Sequence, residues 1–208
     1  ESMKGVAMAG GLMTAAAALR TVVITGSTDG IGRFTAEQCG RAGYHVVVHG
    51  RSPDKVRAVV DGIVAGGGSA RGFVADLSSL DQVRDLGEQI KAAYPRIDGL
   101  LNNAGTFDGD YSGERKTTVD GREYSLAVNV LAPFLLTSLL LENVQASNAG
   151  RILITSSISM GSGDALDDLD LVGRWSGHRA YSLSKLCDAM IAVELSERYG
   201  DPPRLCIN

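Results

Sequence analysis

Apolar positions along this chain gather into short unbroken runs, and longer stretches with one apolar stripe lie between them. Thr21-Val22-Val23-Ile24 is the first run, β-favouring throughout, the pattern of a strand buried on both faces. Behind it Phe34, Ala36 and the segment to Ala42 read as a helix. His45 to His49 predicts a second strand, ended by Gly50-Arg51. Ser52 is placed as an N-cap with Pro53 at the first helical position, so a helix runs on to about Ala65, where Gly66-Gly67-Gly68 stops it. Arg71 to Ala75 is a third strand. Ser79 and Gln82 have capping-box spacing and open a helix with Val83, Leu86 and Ile90 on one stripe. Gly99 to Asn102 predicts strand four, and a polar loop from Thr106 to Thr118 leads to a long helical stretch, Gly121 to about Ser147. Arg151 to Thr155 is strand five, Tyr181 to about Tyr199 a further helix, and Arg204 to Ile207 a sixth strand. Strands alternating with helices at this pitch predict an α/β fold, a doubly wound parallel sheet of Rossmann type in three α/β/α layers.

Composition narrows the class. With 208 residues, 44% of them hydrophobic, the chain has room for one sizeable core. A net charge of -4 and the lack of a basic run argue against a nucleic-acid partner. Cys39, Cys187 and Cys206 are odd in number and far apart, which reads as reduced thiols of a cytoplasmic protein rather than a disulfide framework. The histidines have no cysteine or carboxylate clustered at ligand spacing, so no metal site is expected. Residues 1–19 form a separate N-terminal extension before a single domain over 20–208. Glu1-Ser2-Met3 reads as a tag remnant, and the small and apolar residues after Lys4 make organelle targeting the alternative to a simple arm. That apolar part is shorter than the ~20 residues a membrane span needs, and no integral membrane segment is expected.

Chemistry concentrates at three places. Gly26, Gly30 and Gly32 punctuate Ser27, Thr28, Asp29 and Ile31 between the first strand and its helix. Backbone N–H groups at a helix start, approached closely over glycine, form a pyrophosphate-binding turn. At the end of the second strand, where such folds meet the adenosine ribose, Gly50-Arg51 stands in place of an acidic residue. A guanidinium binds phosphate bidentately, so Arg51 favours NADP(H) with NAD(H) as the alternative cofactor; an exposed surface arginine is the plainer reading. Tyr181 and Lys185 lie i,i+4 on one helix face, roughly 5–6 Å apart at Cβ. A free tyrosine is mostly protonated at neutral pH, and an ammonium beside it favours the phenolate. Ser156-Ser157 closes strand five at the same sheet edge, as catalytic groups or as turn formers. Pro133 lacks an N–H for the carbonyl of Asn129, so the helix is expected to kink there and leave that carbonyl free for a water.

Taken together, Thr25 with Gly26, Gly30 and Gly32 (T-G-x-x-x-G-x-G), Asp76, Asn102-Asn103-Ala104-Gly105, Asn129, Ser157 and Tyr181-x-x-x-Lys185 run in order across Thr21 to Lys185. This resembles the short-chain dehydrogenase/reductase family. The Asp120-Gly121-Arg122-Glu123 phrase and the long Ser157–Tyr181 connection look like its retinol-dehydrogenase-like group. The resemblance implies hydride transfer between NADP(H) and a small-molecule alcohol or carbonyl substrate. Tyr181 would be the acid/base, and Lys185 its electrostatic partner and a ribose ligand. Ser157 would orient the substrate oxygen, and Asn129 would place a relay water. Asp76, followed by Leu77, would meet the adenine, and Asn103, Ala104 and Gly105 would pass the adenosine side. NADP(H)-preferring members often carry a basic residue where this chain has Asp29, which pulls against Arg51. The family also implies a homodimer or homotetramer through the long fourth helix and the Tyr181 helix; in the former, Leu135, Leu136, Leu139 and Leu140 fit an interface and core packing equally well. It implies a P-G motif and a seventh strand, before which this chain stops at Asn208. A non-catalytic NADP(H)-binding sensor or interaction protein of the same fold is the reading from another class.

Overall fold

The structure is a computed structural model and describes residues 19–107, 113–161 and 163–208. The N-terminal extension, Leu19 apart, and part of the polar loop after Thr106 lie outside the described residues. Six strands form one parallel sheet: β1 (Thr21–Ile24), β2 (His45–Gly50), β3 (Ser69–Val74), β4 (Gly99–Asn102), β5 (Gly150–Ile154) and β6 (Leu205–Ile207), in the order β3-β2-β1-β4-β5-β6. Helices α1 (Gly30–Arg41), α2 (Pro53–Ala65), α3 (Leu80–Ala93), α4 (Ala132–Gln145) and α5 (Gly177–Tyr199) supply the crossovers.

Successive strand residues face opposite layers. Ile24, Val46 and Val48 pack with Ala36 of α1 and Val56, Val59 and Ile63 of α2. Val23, Val47, Leu100 and Ile152 pack on the other side with Leu86 of α3, Leu136 and Leu140 of α4 and Leu195 of α5. Burial on both faces is why the strands read as continuous apolar runs rather than alternating ones. From β1 the chain winds one way to β2 and β3 and the other way to β4, β5 and β6, so the carboxyl ends of β1 and β4 flank the crevice where open α/β sheets bind ligands.

Helix starts differ from the sequence reading where a polar cap decides them. Asp29 caps α1, its Oδ1 accepting from Gly30 N at 2.9 Å, so the helix begins before Phe34. Ser176 caps α5 and accepts from Arg179 N at 3.1 Å, which sets Tyr181 one turn inside the helix instead of at its head. Ser52 and Ser79 cap as expected. Gln82, however, reaches past the box, and its Oε1 accepts from Asp76 N at 2.9 Å. The long helical stretch does not begin at Gly121, whose φ of 74° is left-handed. It opens with a π turn over Leu126–Leu131 before α4, where Ala132 N reaches back to Ala127 O. The mismatch around Pro133 is thus absorbed as a widened turn ahead of the proline. Leu126–Gln145 is long and apolar enough to cross a membrane, and most of it is buried inside the fold, as in a core helix.

Candidate active site

Chain ends of β1 through β5 open onto one cleft of about 670 Å³, in the range of a small-molecule site. Gly50, Arg51, Asp76 and Leu77 line it beside β2 and β3; Thr155, Ser156, Tyr181 and Lys185 line it beside β5; the Gly26–Gly32 turn lies between.

The glycines of that turn do different things. Gly26 has φ +63°, and a Cβ there would sit 2.9 Å from the Ala104 Cα. A Cβ on Gly32 would fall 2.4 Å from both Asn103 Nδ2 and Gly26 O. These two let the turn pack against the segment that follows β4. Gly30, at φ +52°, has nothing within 4 Å of its would-be Cβ and faces the cleft. Thr25 joins the two chain ends: its Oγ1 accepts from Asn103 N and Ala104 N, both at 3.0 Å. Asn103 Nδ2 returns a bond to Thr25 O at 2.9 Å. Ser27 lies outside the lining. It is fully buried, its hydroxyl donating to Ile24 O at 2.8 Å and accepting from His49 N at 2.9 Å.

His49 is a lining residue that the sequence reading passed over. Gly26 N donates to its Nδ1 at 3.2 Å, which leaves the proton on Nε2, 3.2 Å from Ala75 O. Burial holds the imidazole neutral, its pKa lowered to about 4. The only signal was a histidine at the end of an apolar strand, which is more often a satisfied core group. Nearby, exposed Arg51 donates from Nη1 to the Tyr124 hydroxyl at 3.1 Å. Asp76 Oδ1 accepts from Ser78 N at 3.0 Å. Asp29 accepts from Gly30 N and has Lys55 Nζ at 3.6 Å.

At the other end the Tyr181 ring lies 4.9 Å from the Phe107 ring, centroid to centroid, and Lys185 Nζ is 5.8 Å from the tyrosine centroid. Lys185 is buried; its ammonium donates to Thr155 O at 2.7 Å and to Asp188 Oδ2 at 2.8 Å. Asn129 stands behind the lining in the π turn. Its Oδ1 accepts from Thr106 N at 2.8 Å, and its Nδ2 donates to Thr106 O at 3.0 Å and to Ser184 Oγ at 2.9 Å. Gly105 covers this pair: a Cβ there would be 3.5 Å from Asn129 Oδ1 and 3.7 Å from Lys185 Nζ. Ser156 donates to Lys185 O at 2.7 Å. Ser157 follows the lining residues without being one of them, and its Oγ accepts from Ser159 N at 3.1 Å.

The Asp120–Glu123 phrase braces the long connection into α5. Asp120 Oδ2 accepts from Leu80 N at the start of α3. Arg122 pairs with Asp170 at 2.7 Å. Buried Glu123 accepts from Leu126 N at 2.8 Å and from the Trp175 indole at 3.2 Å.

Residues 20–165 match the family model described as short chain dehydrogenase. The chain is 42% identical over 186 residues to a candidate daunorubicin C-13 ketoreductase, DnrU, of Streptomyces sp. (strain C5), covering 88% of this chain and 62% of that protein. It is 35% identical over 185 residues to retinol dehydrogenase 13 of Homo sapiens, covering 86% of this chain and 54% of the relative. A candidate NAD(P)-dependent gluconate 5-dehydrogenase from Beutenbergia cavernae, solved with NADP at low occupancy, superposes with a TM-score of 0.74 at 32% identity, over 91% of this chain and 70% of that one. The chain therefore spans less than two thirds of the length of these curated relatives. It belongs to the short-chain dehydrogenase/reductase family, and within it is similar to the retinol dehydrogenases.

Proposed function

We propose that this chain carries the catalytic end of an NADP(H)-dependent oxidoreductase that interconverts an alcohol and its carbonyl compound. The observation that carries the reading is a single cleft. At one side it has a glycine turn opening a helix, and at the other a buried ammonium 5.8 Å from the ring of a half-buried tyrosine. The turn fits a dinucleotide. Gly30 leaves its backbone open to the cleft, at a helix N-terminus that favours negative charge. A nicotinamide dinucleotide held by its pyrophosphate at this turn would supply or take up the hydride.

The chain's own residues do the rest. Tyr181 gives a proton to the substrate oxygen in reduction and takes it in oxidation. Lys185, with two N–H groups fixed on Thr155 O and Asp188, keeps a positive charge beside the phenol and one donor for the cofactor ribose. Ser157, next in the chain to the lining, orients the substrate oxygen. Asn129, held on both sides of Thr106, positions the water that returns the proton to solvent. NADP(H) is favoured because Gly50-Arg51 brings a guanidinium and no carboxylate to the end of β2. Asp29, which would repel a 2′-phosphate, is engaged by Gly30 N and paired with Lys55. Self-association would use α4 and α5, where Phe134 and Met190 are exposed.

The test is NADPH consumption by the full-length protein against a panel of aldehydes, ketones and quinones, alongside quenching of protein fluorescence by NADPH and NADH. Turnover of at least one carbonyl class, with NADPH preferred, is expected. Cofactor binding without turnover of any panel member would leave only a nucleotide-binding role.

A further inference from the structure

The ammonium of Lys185 has a partner that the proton transfer does not use. Asp188 lies one helical turn further along α5, is 2% exposed, and takes a hydrogen bond from Lys185 Nζ on its Oδ2 at 2.8 Å. Its other oxygen, Oδ1, is buried without a hydrogen-bond partner. Such a pair is weak as a stabilising device, because desolvating both charges offsets most of their attraction. Its location is informative instead. The ammonium is held from two sides, by Thr155 O after β5 and by Asp188, and still lines the cleft beside Gly105. Around the pair, the Tyr181 ring lies 5.8 Å from the ammonium, Cys187 is the neighbour of Asp188 on α5, the Thr155 carbonyl accepts from the ammonium, and the uncharged amide of Asn129 shares with Lys185 the space beside Gly105. The carboxylate raises the Cys187 thiol's pKa further, beyond what burial does.

We propose that Asp188 is a positioning residue for the Tyr181–Lys185 pair: its carboxylate fixes where the ammonium sits and offsets part of its charge, and so sets the pH at which Tyr181 releases its proton. Tyr181 and Asp188 are seven residues apart on one helix, roughly 10 Å along the axis, so the carboxylate acts through Lys185 more than directly. Burial pushes the Asp188 carboxyl up to about 6, against the pull of Lys185. While the carboxylate is charged the lysine's field is partly cancelled; once it is protonated the field acts in full. The inference rests on Tyr181 and Lys185 being the reacting pair, but its test needs no substrate.

Ionisation of Tyr181 is read as the phenolate absorbance difference between each protein and its Tyr181→Phe counterpart, in full-length protein. Asp188→Asn keeps the shape and removes the charge, and should move the Tyr181 titration to lower pH by about one unit, the scale of a neighbouring charge. Lys185→Met should move it the other way. An unchanged or upward-moved titration in Asp188→Asn overturns the proposal. Folding supplies a second arm. Lys185→Met leaves the Asp188 carboxylate buried and alone, so its thermal midpoint should fall, and the double variant with Asp188→Asn should recover most of that loss. A double variant no more stable than Lys185→Met overturns the pairing itself. Absence of turnover with every carbonyl would defeat the oxidoreductase reading while leaving both of these results interpretable.

Discussion

The Tyr181 ring packs against Phe107, tilted by 52°, so removing only the hydroxyl leaves that ring contact in place. Tyr181→Phe should therefore reduce turnover by ~10²–10⁴, the usual contribution of general acid–base catalysis, with NADPH affinity nearly unchanged. Steady-state kinetics with titrated cofactor binding checks this, and near-normal turnover would remove Tyr181 from the reaction. Arg51 makes the opposite kind of prediction. Its guanidinium is exposed and held by the Tyr124 hydroxyl at the mouth of the cleft. Arg51→Asp should weaken NADPH by roughly 1.5–3 kcal/mol, the scale of a charge-assisted hydrogen bond. NADH should be little affected; calorimetry giving equal losses for both cofactors would contradict a phosphate role. At this scale the place of Tyr181, Lys185 and Arg51 on the cleft was legible because residue type and spacing point to it. Thr155 was not, because it meets Lys185 through a backbone carbonyl that any residue would present. His49 and Asp188 were not, because their partners come from Gly26 and Ala75, and from a lysine whose burial only tertiary packing creates.

Elements were legible in kind and less so in their ends. The strands stand within two residues of the apolar runs, since burial on both faces writes itself as unbroken hydrophobicity. Helix starts moved wherever a single cap outweighed the apolar stripe: Asp29 for α1, Ser176 for α5. The π turn could not be read, because a proline announces a missing hydrogen bond without saying how the backbone accommodates it. Valine at Gly26 would strike Ala104 and strain a left-handed backbone, so it would damage the fold as well as the cofactor site. Gly32→Ala and Gly30→Ala separate these effects. The first drives a methyl to within 2.4 Å of Asn103 and Gly26 O, and should lower both stability and NADPH affinity. The second meets no atom and should cost only about 1–2 kcal/mol of left-handed strain. Urea unfolding of the two variants, with cofactor fluorescence, distinguishes them; equal destabilisation would mean that the turn is not packed as described.

Two buried groups give the whole molecule opposing pH dependences. His49 binds its proton with a pKa of about 4 in the fold against an ordinary 6.5, so the unfolded chain holds more protons between those values. Its contribution is fully present above pH 6.5 and is lost as pH falls towards 4, by about 3 kcal/mol in all. Asp188 runs the other way, since its carboxyl is raised to about 6 and the folded chain holds the extra proton below that. Across this window the two groups oppose each other. His49→Gln, which keeps hydrogen-bonding capacity and cannot charge, should gain stability relative to wild type as pH falls from 6.5 to 4.5. Urea unfolding of the two proteins at each pH checks it, because subtraction cancels Asp188; a constant difference would mean that His49 does not titrate in that range. The strand order has a kinetic consequence as well. β1 pairs with β2 from Thr21–His45 to Ile24–Val48, whereas its other neighbour, β4, pairs through Val22–Gly99 to Ile24–Leu101 and lies much later in the chain. Closing the longer loop costs more entropy before any contact repays it, so the β1-β2-β3 half should gather first and β4 and β5 dock afterwards. Pulse-labelled amide exchange during refolding should protect Val46 to Val48 ahead of Leu100 and Ile152. The cleft draws its walls from both halves, so nucleotide should engage only chains that have finished this assembly, and should act as a trap for the completed fold rather than a guide to it.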